Sequence, residues 1–161
     1  MNAQHVFTPA LRTVSEAGLW HRVYDYQHDD AVKGFGVEAA DKLDVDPKRI
    51  FKTLLVSTPQ GNLANAILAV ADMLSLRRTA KVLGVKKVTM APAALVEKKT
   101  GYVLGGVSPL GQKTVLPVVV DSTATEDETV LVSAGQRGKS LELGVEDLLT
   151  LTNATVATIR R

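Results

Sequence analysis

Cysteine is absent from this chain of 161 residues, and its absence excludes several kinds of site at once. Without thiols there is no disulfide framework, no thiolate zinc site and no cysteine nucleophile. Aromatic residues make up only 4% of the sequence, so the core must be built from aliphatic side chains and alanine. Long apolar runs are also missing, because the longest one, around residues 66–74, is far too short to span a bilayer.

An excess of one charge is lacking as well. The net charge of +2 permits a nucleic acid as partner without demanding one. The N-terminal segment has no charged region followed by an apolar core, so no signal peptide is predicted and we expect a cytoplasmic protein. The length and the hydrophobic content of 45% predict one domain, residues 1–161, with a self-sufficient core.

Hydrophobic periodicity and turn residues predict alternating helices and strands. The predicted helices are 8–17, 38–43, 75–84, 92–101 and 145–151. The predicted strands are 19–26, 50–57, 63–70, 86–90, 114–121, 129–134 and 155–160. This order indicates an α/β protein of the mixed α+β kind, with a curled, barrel-like mixed sheet flanked by helices.

Two segments come close to the phosphate-binding loop of nucleotide hydrolases. In SAGQRGKS (133–140) a serine replaces the opening glycine, and in GVSPLGQKT (106–114) Gln112 separates the glycine from the lysine. A phosphate loop must also lead into a helix whose N-terminus faces the phosphate. No clean helix is predicted directly after either segment, so nucleotide hydrolysis is disfavoured.

Lys52 is unusual because it shares a strand face with Ile50, Leu54 and Val56. An unpaired buried ammonium group is costly, so this lysine must either reach solvent or meet an anionic partner. Both interpretations remain open: a lysine near a strand end, or a cationic group at the bottom of a pocket.

Adjacent glycines at Gly105 and Gly106 allow close approach of a ligand to bare N–H donors, or simply form a bulge or tight turn. The segment 133–140 adds two hydroxyl groups and the guanidinium group of Arg137, unless it is only a polar hairpin connection. Together with the strand lysine, these loops favour a site for an anionic or carbonyl-rich ligand.

Other polar groups are less informative. No catalytic triad is predicted, and His5, His21 and His28 lack the spacing of a metal site, so none is expected. One basic cluster is either a solvated face or a surface for a nucleic-acid backbone, and it comprises Arg77, Arg78, Lys81, Lys86 and Lys87.

Three motifs, IFKTLLV, TGYVLGGVSPLGQK and VSAGQRGKSLEL, resemble in order and spacing the YbaK/ProX family of aminoacyl-tRNA editing domains. The similarity covers nearly the whole chain, and the SPLGQK run is most similar to the free-standing YbaK branch. The resemblance implies an aminoacyl-tRNA deacylase that clears mischarged Cys-tRNA(Pro). It also implies a site without metal or organic cofactor, with the 3′ end of proline tRNA and prolyl-tRNA synthetase as partners and with no membrane or DNA partner.

Site residues follow from the same resemblance. Lys52, Gly105 and Gly106 are the implied catalytic residues. The implied substrate-binding residues are Tyr26, Ser133, Gly135, Arg137 and Ser140. Ser140 departs from relatives that tend to have Asp, which leaves the substrate and any acid–base role at this position open.

The resemblance further implies that the substrate supplies the nucleophile, with the cysteinyl thiol attacking its own ester and leaving as a cyclic thiolactone. Two alternatives remain: a module that binds aminoacyl-tRNA or a protein without turnover, and editing of Ala-tRNA(Pro).

Overall fold

The computed structural model describes residues 7–31 and 34–161, so His5 lies outside the described residues. The helices of the described part are α1 (Pro9–Glu16), α2 (Phe35–Leu43), α3 (Leu76–Leu83), α4 (Ala93–Thr100) and α5 (Val145–Thr152), with a 3₁₀ turn at Ser122–Glu126. The strands are β1 (His21–Asp25), β2 (Phe51–Ser57), β3 (Leu63–Ala69), β4 (Thr89–Met90), β5 (Val118–Asp121), β6 (Thr129–Gln136), β7 (Lys139–Gly144) and β8 (Thr155–Ala157). The predicted mixed α+β class is confirmed.

The strands form two sheets rather than one. The first has the order β1-β7-β6, and the second has the order β4-β2-β3-β5-β8. An isolated bridge between Ile50 and Leu131 connects the start of β2 with β6. The expected single, barrel-like sheet is therefore not confirmed, because the described strands divide between two sheets that meet at this bridge.

Apolar side chains fill both faces of the five-stranded sheet. The main cluster joins β2, β3 and β5 to β6 and β7 and to helices α1, α4 and α5. A second cluster lies under α3, where Leu54 and Val56 of β2 contact this helix. As predicted from its two apolar faces, β2 is a central strand, paired with β3 on one side and β4 on the other.

Each helix end that bears on the site has a local cause. Thr8 caps α1, because its hydroxyl accepts a hydrogen bond from the Leu11 N–H at 3.2 Å, and Pro9 follows at the first helical position. Gly101 ends α4 with a left-handed φ of 81°, which glycine adopts without steric cost. The loop that carries the paired glycines begins there.

Two predicted boundaries were wrong. The strand expected over 114–121 starts only at Val118, since Pro117 before it has no N–H to donate. Strand β7 was missed and pairs antiparallel with both β1 and β6, so a strand rather than a helix follows SAGQRGKS. This placement removes the remaining support for a phosphate loop. No helix within residues 7–31 and 34–161 is long and apolar enough to cross a membrane.

Candidate active site

A cavity of about 360 Å³ opens between the start of β2, the start of α2, the glycine loop after α4 and the β6–β7 hairpin. Of the residues implied by the resemblance, five line it: Tyr26, Lys52, Gly105, Ser133 and Ser140. Three others do not, namely Gly106, Gly135 and Arg137. The remaining lining residues are Gly34, Phe35, Gly36, Val37, Ala39, Ile50, Phe51, Thr53, Leu54, Val70, Leu104, Val107 and Lys139.

Lys52 extends from the centre of the sheet into this cavity. It pairs across the strands with Leu68, and its side chain is half-buried. The Nζ donates a hydrogen bond to the Asp72 carbonyl oxygen at 2.7 Å, which leaves two N–H donors for a ligand. Burial lowers the pKa of Lys52, and the nearby Asp72 charge partly offsets this effect. Of the two interpretations left open by the sequence, the cavity position agrees with a cationic group in a pocket.

Gly105 lies in a tight turn and also lines the cavity. The Gly106 N–H donates to the Val103 carbonyl oxygen at 2.9 Å, and Gly105, at the third turn position, has a φ of 85°. Such a φ is typical of a type II turn and favours glycine. A Cβ at Gly105 would lie 2.6 Å from Cδ1 of Phe35, so the absent side chain also leaves room for that ring.

Gly106 has a different environment. Its N–H is engaged in the turn, and the residue is buried. A Cβ at this position would lie 3.1 Å from the Arg137 backbone nitrogen, so the glycine loop and the hairpin tip approach backbone to backbone. The geometry therefore leaves Gly105, rather than Gly106, as the N–H donor that faces the cavity.

Gly135 belongs to a β-bulge in strand β6, where the register shifts between Ser133 and Gln136. Its φ is 99°, and a Cβ would lie 2.7 Å from Cε1 of Tyr102. The Gly135 N–H donates to the Ser133 hydroxyl oxygen at 3.1 Å. Gly135 thus orients Ser133 from outside the cavity.

Hydroxyl groups form one side of the cavity. Ser133 and Ser140 face each other as register partners on β6 and β7, and Ser140 is buried. Thr53 contributes a third hydroxyl group from β2. Its buried Oγ1 has no hydrogen-bond partner among the described residues. A ligand that can donate to or accept from hydroxyl groups would satisfy this arrangement.

Arg137 links the hairpin tip to the cavity rim. Its Nε donates to the Leu104 carbonyl oxygen at 2.7 Å, and its Cζ lies 4.9 Å from the centre of the Phe35 ring. The ring of His28 lies on Phe35 as well, with 5.6 Å between the centroids. Phe35 is thus held between a guanidinium group, an imidazole group and Gly105.

Glu38 anchors the segment next to this aromatic contact. Its carboxylate accepts from His28 Nδ1 at 2.6 Å, from the Asp29 N–H at 2.8 Å and from Lys42 Nζ at 3.0 Å. Burial alone would raise the pKa of Glu38, but these hydrogen bonds lower it to about 2. This ionised carboxylate fixes the loop after β1 to α2 and does not line the cavity.

Two further side chains complete the cavity wall. Lys139 lies almost fully buried, and its Nζ donates to Oδ1 of Asp25 at 2.6 Å. Burial raises the pKa of Tyr26, an effect that a backbone hydrogen bond from Gly138 partly offsets. The tyrosine is therefore a neutral wall group near neutral pH.

No protein nucleophile paired with a base lines the cavity among the described residues. Ser108 is fully buried away from it, and its hydroxyl oxygen accepts from the Leu110 N–H at 3.2 Å. No group of three or more His, Cys, Asp or Glu side chains in the described part of the chain is placed to hold a metal ion. The arrangement suits binding and orientation of a ligand more than attack by a side chain.

Sequence reasoning missed Phe35, Thr53 and Lys139. A signal for Phe35 was present in Gly34-Phe35-Gly36, an aromatic residue between two glycines. A Cβ at Gly36 would lie 2.5 Å from Cγ2 of Val70, so the glycine permits close packing of α2 on the end of β3. Lys139 could not be placed without the pairing of β7 with β1.

Comparison with known proteins identifies this arrangement. Residues 31–151 match the family model of the aminoacyl-tRNA editing domain. The Enterococcus faecalis protein EbsC, whose name proposes a Cys-tRNA(Pro)/Cys-tRNA(Cys) deacylase, is 35% identical over 156 residues, which is 94% of this chain and 92% of that protein. The resemblance drawn from the three motifs is confirmed.

Solved structures show the same fold. The hypothetical protein APE2540 superposes with a TM-score of 0.85 at 27% identity, covering 96% of this chain and 100% of that one. A proposed trans-editing enzyme for prolyl-tRNA synthetase superposes with a TM-score of 0.80 at 23% identity, covering 97% of this chain and 99% of the other. At that identity the second match establishes the fold alone.

Proposed function

This chain belongs to the aminoacyl-tRNA editing domain family, and we propose that it is a trans-editing deacylase whose main substrate is Cys-tRNA(Pro). The whole chain, residues 1–161, acts as one editing domain in this proposal. The name of EbsC supports a cysteinyl ester as substrate, because that relative is similar to this chain along nearly its full length.

One observation carries the proposal. Side chains from β2, the glycine loop and the β6–β7 hairpin converge on one cavity, yet no paired nucleophile and base line it among the described residues. Hydrolysis by a protein nucleophile needs such a pair. A cavity that only folds the substrate into an attacking geometry does not, since proximity alone supplies much of the rate.

The reaction would then run within the substrate. The cysteinyl sulfur attacks the ester carbonyl carbon, and the bond between that carbon and the 3′ oxygen of the terminal ribose breaks. The thiol proton ends on the released ribose oxygen, and the aminoacyl group leaves as a cyclic thiolactone. A thiol with a pKa of about 8.5 is a few per cent thiolate at neutral pH, whereas a serine hydroxyl group is not measurably ionised.

Each cavity group has a role in this reaction. The Gly105 N–H donates to the developing oxyanion, a type of contact whose loss costs about 3 kcal/mol in other enzymes. Lys52 uses its two free N–H donors for the terminal phosphate or ribose, and its positive charge favours the thiolate. Ser133 and Arg137 contact the terminal adenosine, while Tyr26 forms the wall beside the aminoacyl group.

Selection against the cognate prolyl ester is partly chemical, because proline has no side-chain nucleophile. The same reasoning makes Ala-tRNA(Pro) a poor substrate. Prolyl-tRNA synthetase is the proposed source of the mischarged tRNA, and the proline tRNA 3′ end is the proposed partner surface.

The test follows release of free tRNA from labelled Cys-tRNA(Pro), with Ala-tRNA(Pro) in parallel and ATP hydrolysis as a control. We expect release from the cysteinyl ester, slow release from the alanyl ester and no ATP hydrolysis. Binding of Cys-tRNA(Pro) without release would instead identify a binding module. Equal release from both esters would exclude the thiol as nucleophile.

Methylation of the substrate sulfur isolates the chemical step. S-methylcysteinyl-tRNA(Pro) keeps the ester and removes the attacking thiol, so turnover should collapse while binding changes little. Rapid cleavage of this ester would mean that a protein group or an activated water attacks, and Ser133 and Lys52 would become the groups to examine as nucleophile and base.

A further inference from the structure

The cavity is cationic without a compensating acid. Lys52 enters it from β2 and Lys139 from β7, and none of the described residues that line it carries a carboxylate. Every aminoacyl ester brings an α-amino group, and a group of this kind is a cation below a pKa of about 7.7–8.0. The site therefore offers this ammonium group two like charges and no counter-charge.

The nearest carboxylates are already engaged. Asp25 accepts from Lys139 Nζ at 2.6 Å on the outer side of that lysine. Glu38 is held by His28, Lys42 and a backbone N–H, away from the lining residues.

Asp72 meets Lys52 through its carbonyl oxygen, and its negative charge raises the lysine pKa only against the larger effect of burial. On the opposite rim, Arg137 adds another positive charge, above Phe35. An environment in which burial disfavours the charged form of Lys52 disfavours a second ammonium group in the same way.

Hydroxyl groups are the polar partners that the cavity does provide. Thr53 Oγ1 is buried without a partner among the described residues, and Ser140 lies buried on the facing strand. A neutral amine can accept a hydrogen bond from a hydroxyl group, whereas an ammonium group has no lone pair with which to accept one.

We propose that this cavity selects the aminoacyl group with its α-amino group uncharged, so that the specificity of the site extends to the protonation state of the substrate. This inference rests on the proposed deacylase function. In physical terms, the two lysines repel an α-ammonium group, and the hydroxyl groups of Thr53 and Ser140 hydrogen-bond the neutral amine.

The test compares Cys-tRNA(Pro) with its α-hydroxy analogue, in which a hydroxyl group of similar size replaces the amine. Both esters keep the thiol, so the ratio of their kcat/KM values cancels the ionisation of the thiol and of the protein. At pH 6 an amine with a pKa of about 7.7 is only about 2% neutral. Normalised to its value at pH 8.5, the ratio of analogue to cysteinyl ester should therefore rise about 50-fold at pH 6.

A substitution in the cavity provides the second arm. Ser140→Asp places a carboxylate opposite the lysines and should pull the pH 6 ratio down toward its value at pH 8.5. Ser140→Asn has nearly the same size without the charge and should keep the wild-type ratio. Thermal melts of both variants confirm that they are folded.

The outcomes separate the two proposals. Cleavage of Cys-tRNA(Pro) with a ratio that does not change with pH overturns this inference and leaves the deacylase function standing. Equal effects of Ser140→Asp and Ser140→Asn would also overturn it. If neither ester is cleaved at any pH, the deacylase proposal fails, and this inference fails with it.

Discussion

Replacing Gly105 with alanine would add a single methyl group at the point where the glycine loop meets Phe35. The new Cβ would lie 2.6 Å from Cδ1 of the Phe35 ring, about 1 Å closer than a favourable carbon–carbon contact. The ring must move by about that distance, and it lines the cavity. We therefore expect Gly105→Ala to change both stability and activity.

The chain contains a matched control at Gly61, in the turn between β2 and β3. Gly61 has the same φ of 85°, but no other atom lies within 4 Å of its virtual Cβ. Both alanine variants therefore share the left-handed backbone cost of about 1–2 kcal/mol. The gain of about 0.4–1 kcal/mol from a less flexible unfolded chain offsets part of this cost in both.

Only Gly105→Ala also overpacks a side chain, which typically costs about 1–3 kcal/mol. A domain of this size loses about 2–4 °C in Tm for each kcal/mol. We expect Gly61→Ala to lower Tm by about 2–4 °C with unchanged kcat/KM. Gly105→Ala should lower Tm two to three times as much, with a fall in kcat/KM of about 10²-fold from displacement of the cavity wall.

Thermal melts and the Cys-tRNA(Pro) release assay measure the two effects. A Phe35→Leu substitution in the Gly105→Ala background removes the clash and should recover most of the additional Tm loss, which a double-mutant cycle would quantify. The reasoning is refuted if Gly105→Ala matches Gly61→Ala in Tm and keeps wild-type kcat/KM.

Three further predictions concern charge. Lys52→Met removes the ammonium group and keeps most of the stem, so kcat/KM should fall at least about 10²-fold in a protein that still melts cooperatively, while the exposed Lys48→Met serves as control; undiminished turnover would contradict the role of Lys52. Glu38 has a pKa lowered to about 2, so its stabilisation is complete above about pH 4.5 and lost as pH falls toward 2; the Tm difference between wild type and Glu38→Gln should shrink over that window, and a constant difference would contradict the assignment. Affinity for tRNA should fall with rising salt, with a slope reduced by roughly one for each phosphate contact removed, and an unchanged slope in the triple alanine variant of the α3 cluster would place the RNA surface elsewhere. That variant replaces Arg77, Arg78 and Lys81.

Local pattern was enough to predict some of the site. Lys52 was recognisable because a charged residue interrupts an apolar strand, and that anomaly depends only on its neighbours in sequence. Gly105 was recognisable for the same reason, as one of two adjacent glycines. Both line the cavity.

Long-range pairing decided what local pattern could not. Ser140 and Lys139 reach the cavity because β7 pairs with β1, in the register that sets Ser140 opposite Tyr24. Phe35 reaches it because α2 begins three residues earlier than predicted, with Gly34 as an N-cap that makes no side-chain hydrogen bond. Helix starts without a capping side chain leave little trace in sequence.

The segment SAGQRGKS shows how backbone geometry can imitate a phosphate-binding motif. Gly135 and Gly138 both have positive φ, at 99° and 82°, one in the bulge and the other in the hairpin turn. A Cβ at Gly138 would lie 2.6 Å from the Tyr26 carbonyl oxygen, which itself belongs to the cavity wall. The glycines are thus required by the turn and by its contact with the end of β1.

The same hairpin joins the two donor-rich loops into one unit. Arg137 holds the Leu104 carbonyl oxygen, and its backbone nitrogen lies where a Cβ on Gly106 would have to fit. A change at the hairpin tip therefore moves the glycine loop, and with it the Gly105 N–H. The position of the proposed oxyanion donor depends on residues more than thirty positions away in the chain, so substitution of Arg137 should affect turnover even though this residue does not line the cavity.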